Sequence, residues 1–580
     1  MPRLLEELKN RNVFRVAALY LIVAWLVLQV ADVFMSFLPL PEWLPTLVFV
    51  LLVLGFPIAL VLAWAFEVTP EGVKREEPAE QKKTSETARS RFQNVFIIFS
   101  LVAIAGYTIV LQFIDTPVEE AATPPAINSI VVLPLDDLTN DPGQAYFVAG
   151  MHEALINELS KIKALRVISK TSAMAYRDSA RSVPQIAQEL AVDAVVEGSV
   201  MRVGDTVRVT TQLIDARSDR HLWADNYDRP VADIFALYSD IATEIAEQIH
   251  IEVAPVEAAR LSKSERINPR VYELYLQARY LCDNWSPNEM LQGIELARQA
   301  VALAPDYAPA LAELAMCLQY AAFFNFLNPL DISGESMSAA ERSVATDPGL
   351  AEAYVALAGV RYYLRYERES SEQLLYRALE LNPGSVKALT HLSWLLGESG
   401  RFDEAIPPTM KAIEYDPLST VAKHALGQIH SLGRDYDKAI EAYSEALALD
   451  PGDPTLSYSL GLAHAHKREL EPALKYTAKA LELAPDSSIY IGGHGYVSAI
   501  AGFTDEAQRL LDMLLAREEQ PDYEIAVIQT GLGNHDAALD RLETAYEKRN
   551  SQLVYIPEDK MFDPLRNHPR FKQLLARLGW

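Results

Sequence analysis

Two cysteines, Cys282 and Cys317, are all that 580 residues contain. A single pair cannot build a disulfide framework and has no metal-ligand spacing, so two buried thiols are expected. Basic charge is scarce as well: 52 Lys and Arg face 78 Asp and Glu, a net charge of −26. The shortage is uneven. Residues 1–114 carry ten basic and ten acidic side chains, so the whole deficit falls after residue 114, where 42 face 68. So acidic a remainder excludes a nucleic-acid partner, whose phosphates require a basic footprint.

Catalytic signatures are missing too. There is no H-E-x-x-H, G-x-S-x-G or C-x-x-C. The glycine-rich stretches IGGHGYVSAIAG (491–502) and GLGNHD (531–536) lack the preceding strand and the lysine of a phosphate loop. His430 and His464 hold the same place in adjacent repeats, where helix packing is the commoner use than a shared metal. No catalytic residue, cofactor or metal is therefore expected.

Long apolar runs are present. Three of them, 16–38, 46–66 and 95–114, are long enough as helices to reach across a hydrocarbon layer, the second with Pro57 as a kink point. Four basic residues precede the first run and six lie in the loop 67–94, but none follows the third before Lys161. The positive-inside rule then places a tail 1–15 and the loop in the cytosol, and everything beyond residue 115 outside. The expectation is a bacterial inner-membrane protein with three spans, lipid contact and periplasmic soluble domains. Gln29 and Asp32 are three apart on the first run and share a helical face. Asp32 lies near its outer end, which favours interfacial solvation or a helix–helix hydrogen bond.

After a linker at 115–127 the pattern changes. SIVVLPL (129–135) suits a buried strand, 144–162 has helical periodicity, LRVISK (165–170) returns to strand and PQIAQEL (184–190) is a short helix opened by Pro184. Three strand-like runs follow, then a helix over 233–249. Alternating strands and helices closed by a meander predict a small α/β domain. Its last strand, RHLWADNYDRP (220–230), has an active site's vocabulary but no nucleophile or second titratable partner. Alternation puts Leu222, Ala224 and Asn226 on one face, and His221, Trp223, Asp225 and Tyr227 on the other. Trp223 and Tyr227 are placed to cover the sheet edge or pack under the final helix.

The segments SIVVLPLDDLTND, YFVAGMHEALINELSKIKALRVISKTSAMAY and VDAVVEGSVMRVGDTVRVTTQLIDARSDRHLWADNYDR together resemble the TolB-type amino-terminal domain and its FlgO-like relatives over 128–252. What the resemblance implies is a non-catalytic, usually periplasmic α/β domain that mediates protein contacts. Similar combinations with helical repeats occur behind DNA-binding or cyclase domains, and neither is visible here.

Beyond a second linker at 253–269 the chain repeats itself. Pro305, Pro348, Pro383, Pro417, Pro451 and Pro485 are spaced 43, 35, 34, 34 and 34 residues apart. A 34-residue helix–turn–helix period is that of the tetratricopeptide repeat. Leu426, Gly427, Ala439, Tyr443 and Ala446 fill its small and aromatic places, as Leu460, Gly461, Ala473 and Ala480 do one repeat later. About eight helical pairs are expected over 270–549, with the insert at 322–335 as a longer turn and 550–580 as a capping tail. In such repeats the first helix lines a concave groove, which the family resemblance assigns to Tyr363, Lys387, Thr390, Trp394, His424, Gln428 and Tyr458.

The fold class is thus multidomain: three transmembrane helices, a small α/β domain and an all-α solenoid. The expected function is a non-catalytic membrane-anchored periplasmic scaffold that holds a protein or peptide in the groove. The membrane helices or the TolB-like domain offer surfaces for a homo-oligomer. The alternative is the sensor half of a transmembrane signalling assembly acting through a cytosolic partner.

Overall fold

The computed structural model describes residues 13–35, 44–65, 67–69, 72–74, 126–139, 145–251, 253–255, 257, 267–283 and 286–580. Two compact units divide at Ala122 and Thr123. In the first, α1 (Val13–Met35) packs beside α2 (Leu44–Ala65), which runs on through Pro57. The Tyr20 hydroxyl donates to the Leu52 carbonyl at 2.7 Å. A two-stranded ribbon follows, β1 (Glu67–Thr69) with β2 (Gly72–Lys74).

Among the described residues no helix is long and apolar enough to cross a membrane. This corrects the three-span fold class and the inner-membrane, periplasmic location built on it. Gln29 is exposed on α1, whereas the side chain of Asp32 and the run 95–114 lie outside the described residues.

The second unit opens with a sheet. Its strands are β3 (Ser129–Val132), β4 (Asp136–Asp137), β5 (Arg166–Val167), β6 (Ala194–Val203), β7 (Thr206–Asp215) and β8 (Arg220–Pro230). The order is β5-β3-β6-β7-β8, with β4 extending the β3 side of β6. The β3 pairings are parallel and the β6-β7-β8 meander is antiparallel. α3 (Ala145–Leu159) and α6 (Ile234–Gln248) cover one face, and α4 (Lys170–Met174) and α5 (Val183–Leu190) serve the other. Simple alternation in β8 fails at one point. A register shift at Leu213/Ile214 sets Trp223 opposite Leu213 and His221 opposite Ile214, so Leu222 is the extra residue of a bulge. Leu222 and Trp223 consequently both lean on the core, and Tyr227 is buried in the cluster that includes α6.

Among the described residues sixteen helices from Pro269 to Glu547 form eight helix–turn–helix pairs. They are α7 (Pro269–Cys282) with α8 (Pro287–Leu303), α9 (Ala308–Phe323) with α10 (Pro329–Thr346), α11 (Ala351–Arg365) with α12 (Arg368–Leu381), and α13 (Val386–Glu398) with α14 (Phe402–Tyr415). Then come α15 (Thr420–Leu432) with α16 (Tyr436–Leu449), α17 (Pro454–Lys467) with α18 (Leu470–Leu483), α19 (Ser488–Ile500) with α20 (Thr504–Leu515), and α21 (Asp522–Gly531) with α22 (His535–Glu547). Local chemistry repeats with the period. Each helix-ending proline stands two residues before the N-cap position of the next helix, and at three of the six, Ser385, Ser419 and Asp453 accept backbone N–H groups of the helix they open. The consensus glycine is required by approach: a Cβ on Gly427 would come within 2.6 Å of the Tyr443 ring.

Three local expectations change. Cys282 and Cys317 are not thiols but a disulfide, with Cα atoms 5.9 Å apart. Their separation of 35 residues is about one repeat, which sets the end of α7 against α9. In the chain-entropy account, closing a loop of that size stabilises by ~3–4 kcal/mol. Reduction is expected to lower the melting temperature by several degrees, read by circular dichroism with and without dithiothreitol. The insert near 322–335 is not mainly a turn. Relative to the pair α13–α14 it lengthens the first helix by three residues, the turn by two and the second helix by four.

The tail does more than cap the last pair. Its two 3-10 turns, Ser551–Tyr555 and Lys560–Leu565, precede α23 (Pro569–Leu578). Leu553, Ile556, Phe562 and Leu565 are fully buried in one cluster with Tyr362 of α11 and Leu395 of α13. The tail therefore returns inside the array. Lys560 donates to the His466 carbonyl at 2.6 Å, and Arg434 pairs with Asp563 across 129 residues.

The sheet domain and the repeats share a core as well. Val271, Tyr272 and Leu276 of α7 join the cluster of β3, β6, α3 and α6. Further along, the turn after α14 docks on α4: Ser169 donates to the Tyr415 carbonyl at 2.8 Å, and Asp416 accepts from Ser172.

Candidate functional site

The inner face of the repeats encloses a cavity of about 1250 Å3. The first helices α9, α11, α13, α15 and α17 supply the largest share of its wall, α3 and α4 of the sheet domain close one side, and the returning tail closes another. All seven groove residues expected from the repeat register line it: Tyr363, Lys387, Thr390, Trp394, His424, Gln428 and Tyr458.

They play different physical parts. Tyr363 is 5% exposed and packs edge-on against Phe323 at 5.4 Å, so it is mostly filling. Lys387 reaches Asp283 at 3.5 Å. The hydroxyl of Thr390 and the indole N–H of Trp394 are buried without a hydrogen-bond partner in the protein. His424 stands 2.8 Å from the Ser459 hydroxyl, with its ring 5.3 Å from that of Tyr443. Tyr458 lies over Gly493, where a Cβ would meet its ring at 2.1 Å, so only glycine leaves the ring its place.

The sheet-domain end of the cavity is ionic. Glu153 pairs with Arg279 and with Lys170 at 3.1 Å. Burial opposes its charge, but Arg279 and then Lys170 hold the carboxyl well below the usual range. Beneath them Glu313 carries no such pair, and burial pushes it up. It forms a close group with Cys282 and Cys317, whose sulfurs are spent on the disulfide and leave no thiolate to bind a metal. Three wall histidines are kept neutral by burial: His391 and His424 are lowered to about 4, and His466 to about 3. Both ring nitrogens of His466 lack a partner in the protein.

Sequence reasoning missed the rest of the wall. Tyr555, Asp559 and Lys560 come from the tail, Glu153 and Lys170 from the sheet domain, and Arg279 and Asp283 from the first pair. Only the tail carried a signal. Its apolar residues show that 553–565 packs, though not on which surface.

These features are those of tetratricopeptide repeats. Residues 424–488 match the family model described as "Tetratricopeptide repeat", and the chain contains such repeats. Residues 128–234 match "HilA/YgeH-like transcriptional regulator, second domain", a different description for the stretch read above as TolB-like. A curated Rhizobium meliloti (strain 1021) protein named "Putative adenylate cyclase 3" is 29% identical over 243 residues. That covers 42% of this chain and 41% of the relative, so the chain spans under half the length of the protein it matches. Among solved structures, YrrB, titled "a TPR protein with an unusual peptide-binding site", is 19% identical with a TM-score of 0.24, covering 34% of this chain and 95% of YrrB. The pilF protein of Pseudomonas aeruginosa is 18% identical with a TM-score of 0.28, covering 37% of this chain and 98% of pilF. Scores this low carry no weight for function.

Proposed function

We propose that the chain is a non-catalytic interaction module whose concave cavity holds an extended segment of a partner protein. The observation that carries this is the cavity itself, about 1250 Å3 within the inner face of the repeats, with the half-buried side chains of Lys387, Trp394 and Tyr458 on its wall. Charge narrows the partner. Eight Asp and Glu line the cavity against five Lys and Arg. Four of those acids, Asp416, Asp450, Asp453 and Asp559, accept only backbone or hydroxyl hydrogens. The occupant is therefore a segment with basic residues, not a nucleic acid. The activity in the name of the Rhizobium relative is not carried over, because the chain spans 41% of that protein.

Trp394→Ala and Tyr458→Ala test the reading. Both side chains are half-buried on the cavity wall, and truncating an aromatic anchor costs ~2 kcal/mol or more of binding. Each variant is expected to lose at least about tenfold in retention of a random basic decapeptide pool while its melting temperature stays within a few degrees. Unchanged retention in both variants would place the binding surface elsewhere.

A further inference from the structure

We propose that the tail-side end of the cavity, lined by Tyr443, Tyr458, Tyr555 and Asp559, is a subsite for the guanidinium of an arginine in the bound segment. This rests on the reading of the cavity as a peptide groove. Tyr443 comes from α16 and Tyr458 from α17, while Tyr555 and Asp559 come from the returning tail, so the subsite exists only when the tail is seated. Tyr443, Tyr458 and Tyr523 line the same cavity as Asp559, and burial first and then the Asp559 charge oppose their ionisation.

The nearest cations are committed elsewhere. Arg566 donates to the Asp563 carboxylate at 2.6 Å and to the Pro557 and Asp559 carbonyls. Lys560 donates to the His466 carbonyl and lies 4.5 Å from the Tyr436 ring centre. His424 and His466 are held neutral by burial, so these two wall histidines add no positive charge. The Asp559 carboxylate is left with the Met561 N–H at 2.8 Å, and burial pushes it up to about 6.

A half-buried carboxylate on a tyrosine-bearing wall, in no ion pair within 4 Å among the described residues and with Arg566 acting on it only from a distance, is suited to an organic cation. The guanidinium fits better than an ammonium, because it is planar, weakly hydrated and stacks on aromatic faces while keeping donors for the carboxylate. Asn at 559 would accept the same Met561 N–H and carry no charge to desolvate.

The test uses the full chain and two random decapeptide pools, one with arginine fixed at the centre and one with its uncharged isostere citrulline. The arginine pool is expected to be retained at least tenfold better. Asp559→Asn is expected to abolish that preference while raising the melting temperature at pH 7.5. Equal retention of both pools, or a preference that survives Asp559→Asn, overturns the subsite but leaves the groove standing. Retention of neither pool overturns the groove and the subsite with it. A fall in melting temperature for Asp559→Asn shows the carboxylate to be structural and also overturns the inference.

Discussion

Ending the chain at Asn550 is expected to unfold much of the repeat array rather than trim a cap from it. Nine large apolar side chains of the tail, from Leu553 to Leu578, are at most 3% exposed. At ~1.5–3 kcal/mol each, their burial outweighs the ~5–15 kcal/mol by which a folded domain exceeds its unfolded chain. Their partners are not confined to the last pair. Phe562 meets Tyr523 edge-on at 5.7 Å and shares a cluster with Tyr362, Leu392 and Leu395, so removal strips the interior of pairs far upstream. The single substitution Phe562→Ala is expected to cost ~3–5 kcal/mol. Helical circular dichroism followed against urea reads both. A truncated chain that melts with the cooperativity of the whole would show that the tail is an appendage.

Between pH 6.5 and 8.5 stability is expected to fall, and Glu398→Gln to remove most of the fall. Glu398 is 1% exposed at the end of α13, and neither carboxylate oxygen has a hydrogen bond. Burial pushes its carboxyl up to about 8, against the smaller opposing effect of the Tyr362 and Tyr555 hydroxyls. A folded-state value raised above the unfolded 4.5 means that the native protein binds the extra proton. The associated stability is complete below about pH 4.5 and is lost as pH rises through 8. Glu524, raised to about 7 by burial, adds to the same loss. The buried histidines act in the opposite sense. Their lowered values let the unfolded chain take up protons between about pH 4 and 6.5, so stability rises there, and the window above 6.5 isolates the acids. Linkage gives about 2 kcal/mol for Glu398 across that window. Parallel melting curves for the protein and Glu398→Gln would refute this assignment.

The repeats were readable because their information is local and periodic. Prolines at a spacing of 34 residues, a serine or aspartate cap two places on, and Gly427 against Tyr443 recur without reference to the rest of the chain. The wall residues were readable for the same reason, since counting within a repeat fixes which way a side chain faces. What local pattern cannot encode is return. Tyr555 and Asp559 belong to the cavity only because the tail doubles back, and Cys282 meets Cys317 only because neighbouring first helices align. The strand 220–230 was legible as a strand, but its bulge depends on a mismatch with β7 that its own alternation does not show. The apolar runs 16–38 and 46–66 told of helices, and the step from helix to membrane span did not hold.

The lengthened pair α9–α10 ties distant coils together. Asn325, at its turn, donates to Glu524 at 2.8 Å and to Ser488 at 3.3 Å, and Gln552 reaches Glu524 at 3.2 Å and the Phe323 carbonyl at 3.5 Å. An open solenoid behaves as a spring, because each repeat touches only its neighbours and small rotations add along its length. Here the second coil is riveted to the seventh and eighth, and the rivet is a buried glutamate held from three sides. Such a spring cannot stretch. The bore stays at one width, and a ligand is selected by what fits it rather than by how far the coils open around it.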